Sequence, residues 1–198
     1  MMATTPDRQT VALSRLKSPR TPSSPGTVAS LKVVNAVTNF VEFHRKWCQA
    51  VAKGLQFCNA IRNIKNNVFR SANNEVAYPE NLILHCKNLI VMVSIMEDVI
   101  ANAFYMVVQL KSLKESFEND YTIGRTWNFA QTVKTVEMSI VSYEKEITTR
   151  KYIAENIGHA LSTEHLDLFV SCWNNTMDVE RNRELYIHMM FYEFRLNE

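Results

Sequence analysis

Beyond residue 26 this chain holds one proline, Pro79, and three glycines, Gly54, Gly124 and Gly158. These two residue types are the strongest helix breakers, costing about 3 and 1 kcal/mol relative to alanine inside a helix. A chain so poor in breakers, with apolar residues recurring at steps of three and four, is constrained to long helices packed through one face. The expected fold is all-α: an elongated helical bundle or coiled coil with three long helices and two shorter C-terminal helices, behind a disordered N-terminal tail. At 198 residues the chain can bury one substantial core and is short for two.

The first helix is expected to begin near Ser30, with the stripe Val34, Val37, Val41, His44, Cys48, Val51, Leu55, Cys58, Ile61 or Arg62, Ile64 and Val68. Phe40 and Trp47 widen it. Gly54 interrupts its interior, where it permits either a close neighbour or a bend. His44 reads as a hydrogen-bonded core histidine rather than a ligand. Pro79 suits the first turn of the second helix, whose stripe is Leu82, Cys86, Leu89, Val93, Met96, Ile100, Ala103, Val107 and Leu110. Ile90, Val99, Phe104, Val108, Leu113 and Phe117 broaden that stripe, so the helix should meet more than one partner helix.

The third helix is expected from Thr126, read as its N-cap, through Phe129, Val133, Val136, Ile140, Tyr143, Ile147, Ala154 and Ile157 to a break at Gly158. A fourth, shorter helix is expected over about Ser162 to Asn174, with Ser162 as its N-cap and Glu164 in its first turn. A fifth spans about Val179 to Leu196, with Leu185, Met189, Tyr192 and Leu196 expected on one side.

Residues 1–29 read as a disordered Ser/Thr/Pro-rich tail, and 30–198 as the helical bundle domain. Ser18, Thr21 and Ser24 each precede a proline, the minimal site of a proline-directed kinase, and are the candidate phosphorylation sites.

Net charge is +2, with no concentrated basic face, so direct nucleic-acid binding is not expected. Glu97, Asp98, Asn102 and Gln109 interrupt the most apolar segment, which reads as a core helix and not a membrane span. No N-terminal apolar run resembles a signal peptide, and the four cysteines lack C-x-x-C spacing. Reduced thiols in an intracellular protein are the expectation, with Cys48, Cys58 and Cys86 buried. There is no Gly-rich phosphate loop, no H-E-x-x-H and no nucleophile elbow. No enzyme activity and no cofactor or metal is therefore expected. Glu146 and Arg150, four apart, read as a surface ion pair.

From Thr126 to Trp173 the chain resembles the cyclin-dependent kinase 2-interacting protein (CINP) family. The resemblance rests on Thr126-Trp127, Tyr143, Lys145-Glu146, Arg150-Lys151, Ala154, His159 and Trp173, with a second stretch at Lys46-Trp47, Gly54, Asn59, Ile61, Asn63 and Lys65. It covers about half of the chain. It implies a non-catalytic adaptor, nuclear or both nuclear and cytoplasmic. The implied partners are a helical partner subunit, AAA+ ATPases that remodel replisomes or pre-ribosomes, cyclin-dependent kinase, and replication or checkpoint factors. The candidate protein interface is Trp47, Trp127, Tyr143, Glu146, Arg150, Lys151 and Trp173, although tryptophan and tyrosine are equally at home in a core. The alternative is a generic helical structural subunit of an unrelated intracellular complex.

Overall fold

The computed structural model describes residues 25–70, 79–117, 121–175 and 177–196, the side chains at 25–26 and 177–181 excepted. Ser18, Thr21, Ser24 and most of the expected tail lie outside the described residues. Five helices carry the rest: α1 Pro25–Arg70, α2 Glu80–Lys111, α3 Phe129–Asn156, α4 Thr163–Asn174 and α5 Met177–Phe194. Short 3-10 turns lie at Lys114–Ser116 and Ile157–His159. No strand forms among the described residues; a single isolated bridge pairs Thr122 with Asn128.

The fold is the expected all-α elongated bundle. At a rise of about 1.5 Å per residue, the 46-residue α1 runs for about 69 Å. It packs along α2, and α2 along α3. The two short helices close the bundle, α4 against α1, and α5 against both α3 and α1. The core is drawn from every helix: Val37, Phe40 and Trp47 of α1, Leu89 and Met96 of α2, Val136 and Tyr143 of α3, Leu166 and Trp173 of α4, and Ile187 and Met190 of α5.

Several boundaries depart from expectation for local reasons. α1 is already helical at Pro25, the first described residue, ahead of the expected start near Ser30; proline is tolerated in a first turn. α2 ends at Lys111, short of Phe117. Phe117 instead takes an extended backbone and stacks on Phe129 at 5.1 Å. Thr126 is not the cap of α3. Asn128 is: its side chain accepts from Gln131 N, and Gln131 Oε1 accepts from Asn128 N, each at 2.9 Å. That reciprocal pair is a capping box with Asn in the capping position. Ser162 caps α4 as expected, accepting from His165 N at 3.3 Å.

The packing face of α5 is the largest correction. Leu185, Met189 and Tyr192, the side expected to carry the helix's apolar stripe, are exposed, while Arg183, Ile187, Met190 and Glu193 face the bundle. Both sets have helical spacing; the buried set is the one whose charged members find partners on α3 and the loop before it. Cys48 is also corrected, being exposed, whereas Cys58 is buried as expected and Cys86 is half-buried.

α2 is long and apolar enough, by length and composition, to cross a membrane. Within the bundle one side of it supplies core residues from Leu82 to Leu110, and it carries exposed Glu97 and Asp98 near mid-length.

Candidate functional site

Five of the seven residues singled out in the sequence converge on one place, and that place is inside the bundle. Trp47 of α1 and Tyr143 of α3 meet ring to ring at 4.5 Å. One turn along α3, Glu146 is only 3% exposed and Arg150 only 1%. They form an ion pair, as the i,i+4 spacing requires, with Arg150 Nε donating to Glu146 Oε1 at 2.7 Å. The pair is buried and not on the surface, because α4 and α5 cover this face of α3. The second carboxylate oxygen of Glu146 accepts from Arg183 of α5, which is likewise 1% exposed.

Two guanidiniums on one carboxylate leave an excess of positive charge, which the surroundings offset. Arg150 lies over the Trp173 ring at 4.9 Å, and Arg183 over Tyr143 at 5.0 Å and Trp47 at 5.7 Å. Cations on aromatic faces are worth about 2 kcal/mol or more when desolvated. Glu184 Oε1 adds a second anion at 4.0 Å from Arg183. Burial alone would lower the Arg183 pKa, but the adjoining Glu146 carboxylate outweighs it and holds the guanidinium above its ordinary value. Burial pushes the Tyr143 phenol well above the usual tyrosine range, so it stays protonated at neutral pH.

At the outer edge of this cluster lies a second group. His44 Nδ1 is hydrogen-bonded to Tyr143 Oη at 2.9 Å. Its Nε2 lies 3.4 Å from Cys48 Sγ, one turn on along α1, and 3.3 Å from Glu184 Oε1 of α5. His44 is thus buried and hydrogen-bonded, as its place in the stripe predicts. The donor atoms of His44, Cys48 and Glu184 all lie within 4.8 Å of one another and have the chemistry of metal ligands.

The other two singled-out residues stand apart. Trp127 packs edge-on against Phe194 at 6.3 Å, beside Glu193. Glu193 accepts from Thr126 N at 2.7 Å, Thr126 Oγ1 at 2.6 Å and Trp127 N at 3.1 Å, pinning the loop before α3 to the end of α5. Burial would raise the Glu193 pKa, but these bonds outweigh it and hold the carboxyl below its ordinary value. Lys151 alone of the seven is on the surface, paired with Glu97 of α2 at 2.9 Å. An interface built from the seven would thus present Lys151 and little else.

An open apolar surface lies between α2 and α3. Phe104, Val107 and Val108 of α2 with Ile140 and Val141 of α3 line a groove of about 350 Å³. The Lys111–Glu137 ion pair, at 2.6 Å, stands at one end of it. Phe104, Val108 and Val141 are all exposed, Val108 at 66%.

Arg183, Glu184 and Glu193 were not found by sequence reasoning. The available signal was the placement of charges at intervals of the helical repeat along α5, with His44 and Cys48 one turn apart on α1 as its counterpart. No known family model and no curated protein sequence matches the chain.

Proposed function

We propose that this chain is a non-catalytic adaptor subunit that engages a helix of a protein partner through the α2–α3 groove. The observation that carries this reading is the open apolar surface of Phe104, Val108 and Val141 beside the groove between α2 and α3. Contiguous exposed apolar surface rimmed by charge marks a binding site more often than chance. The groove runs between two neighbouring helices, and the Lys111–Glu137 pair supplies a basic and an acidic residue at its edge. That pattern fits an amphipathic helix with mixed charges flanking an apolar stripe. Exposed Glu97 and Asp98 midway along α2 favour a protein over a bilayer, since charges in hydrocarbon are costly.

The kind of partner comes from the resemblance to the CINP family: a nuclear assembly containing a helical partner subunit and AAA+ ATPases, with links to cyclin-dependent kinase and to replication or checkpoint factors. The buried Trp47–Tyr143–Glu146–Arg150–Trp173 cluster, on this reading, holds the bundle rigid rather than touching the partner.

The test compares tagged full-length chain with the Phe104→Glu/Val108→Glu variant in recovery of AAA+ ATPase subunits from nuclear extract, read by mass spectrometry. The adaptor reading expects recovery with the parent, an unchanged circular dichroism spectrum for the variant, and at least tenfold less ATPase, roughly the loss of one buried contact. A folded variant that recovers as much ATPase as the parent overturns the groove. A parent that recovers none, or that floats with phospholipid vesicles through α2, overturns the adaptor reading itself.

A further inference from the structure

The seam between α1 and α5 carries an arrangement that neither the adaptor reading nor the packing of the core calls for. His44 and Cys48 are one helical turn apart on α1 and project side by side; Glu184 of α5 closes on the same point from the other helix. We propose that His44 Nε2, Cys48 Sγ and Glu184 Oε1 form a binding site for a borderline-soft divalent cation of the zinc class.

Three observations carry this. The first is distance. Zinc bonds of about 2.0–2.3 Å at tetrahedral angles place neighbouring donors about 3.3–3.7 Å apart. The Nε2–Sγ separation is 3.4 Å and the Nε2–Oε1 separation 3.3 Å, with all three donors within 4.8 Å of one another. The second is donor chemistry: an imidazole nitrogen, a thiol and a carboxylate converge from two helices, and these are the three ligand types that zinc takes. The third is the outer partner of the histidine. Nδ1 is bonded to Tyr143 Oη at 2.9 Å. A metal-bound histidine characteristically donates its other ring N–H in this way, which fixes the tautomer and turns Nε2 outward.

The same geometry separates a metal site from a catalytic dyad. A cysteine nucleophile and the acid that orients its histidine must sit on opposite ring nitrogens. Here Glu184 Oε1 lies 3.3 Å from Nε2, while Cys48 Sγ lies 3.4 Å from Nε2 and 3.9 Å from Nδ1, so the acid is not on the ring nitrogen opposite the sulfur as a dyad requires. Charge also balances, because a thiolate and a carboxylate neutralise a divalent cation. Cys48 is exposed and Glu184 half-buried, so the ion has a path in and its fourth position faces solvent. Once bound, the ion would tie α5 to α1 at the edge of the Arg183 cluster. This inference is independent of the α2–α3 groove.

The experiment uses the full-length chain, reduced and stripped with a chelator, and titrates it with Co²⁺ and then Zn²⁺. The expected result is one equivalent of Co²⁺ bound, with a sulfur-to-cobalt charge-transfer band and tetrahedral ligand-field bands, all displaced by Zn²⁺. Cys48→Ser removes the charge-transfer band, Glu184→Gln weakens binding at least tenfold, and Tyr143→Phe weakens it about 10–100-fold through the lost outer bond. No band in the parent, or an unchanged band in Cys48→Ser, overturns the proposal. A second readout needs no variant: Zn²⁺ should slow alkylation of Cys48 in the native parent about tenfold, followed by peptide mass spectrometry. An unchanged Cys48 rate at saturating Zn²⁺ equally overturns it.

Discussion

The indole of Trp173 occupies the space that a side chain on Gly54 would need: a Cβ built on Gly54 would lie 2.0 Å from the ring. The same indole donates its Nε1–H to the Val51 carbonyl at 3.0 Å, so it is held against α1 by shape and by a hydrogen bond. Glycine in the middle of a 46-residue helix is the condition for α4 to dock there.

This relationship reverses the sign that helix propensity gives. Ala for Gly in a helix interior should stabilise by about 1 kcal/mol. Gly54→Ala is expected instead to destabilise by about 1–3 kcal/mol net, because the fully buried ring has no room to retreat. Urea unfolding of parent and variant checks this. A variant of equal or higher stability would mean that Trp173 does not rest on α1.

The buried ion cluster predicts an asymmetry between its members. Removing Glu146 leaves the buried Arg150 and Arg183 guanidiniums without the carboxylate they share. Glu146→Ala is expected to cost about 3–5 kcal/mol, the usual result of stripping one partner from a buried pair. Lys151→Ala, which removes an exposed partner of Glu97, should change stability by less than about 1 kcal/mol. Thermal or chemical melts of the two variants check the contrast, and equal losses would show that Glu146 is not buried with its partners.

Glu193 gives the fold a defined acid sensitivity. Its folded pKa is lowered by the donors on Thr126 and Trp127. A lowered carboxyl stabilises the fold fully above its unfolded value, about 4.3, and loses that contribution as pH falls through the folded value. Glu193→Gln should therefore cost about 1–3 kcal/mol at neutral pH and progressively less below about pH 4. A stability difference that stays constant from neutral pH down to about pH 3 would remove the carboxylate from this role.

The cysteines should label in a fixed order. Cys48, exposed on α1, should react first with a neutral thiol reagent, and Cys58 last. Cys58 is fully buried, and burial pushes its thiol up to about 12, which leaves almost no thiolate at neutral pH. Burial also raises the Cys86 thiol, placing it between the two. Time-resolved labelling with peptide mapping reads the order directly.

Much of the fold was legible in the sequence because helices are local. The four-and-three spacing from Leu82 to Leu110, the break at Gly158 and the cap at Ser162 each depend on residues within a turn or two, and each is where the spacing places it. The near misses are local as well. Thr126 and Asn128 are both competent caps, and Thr126 lost the role because its hydroxyl and N–H are taken by Glu193, 67 residues away.

The candidate sites were legible only by halves. Spacing alone puts Glu146 beside Arg150 on α3, and His44 beside Cys48 on α1. Whether such a pair meets water or another helix is not a property of one helix. α5 carries apolar residues on two faces, and its local sequence favours neither Leu185–Met189–Tyr192 nor Ile187–Met190. Packing decided between them: with α5 turned as it is, Arg183 reaches Glu146, Glu184 reaches His44 and Glu193 reaches Thr126. The reason is energetic. An apolar side chain left in water forfeits part of its burial gain, whereas an ionised group buried without its partner costs several kcal/mol, so the charges fix the rotation of the helix. The sequence alone determined that long helices form and where most of them stop; only the tertiary structure decided which faces met, and with them the buried ion cluster, the α1–α5 donor set and the groove left open between α2 and α3.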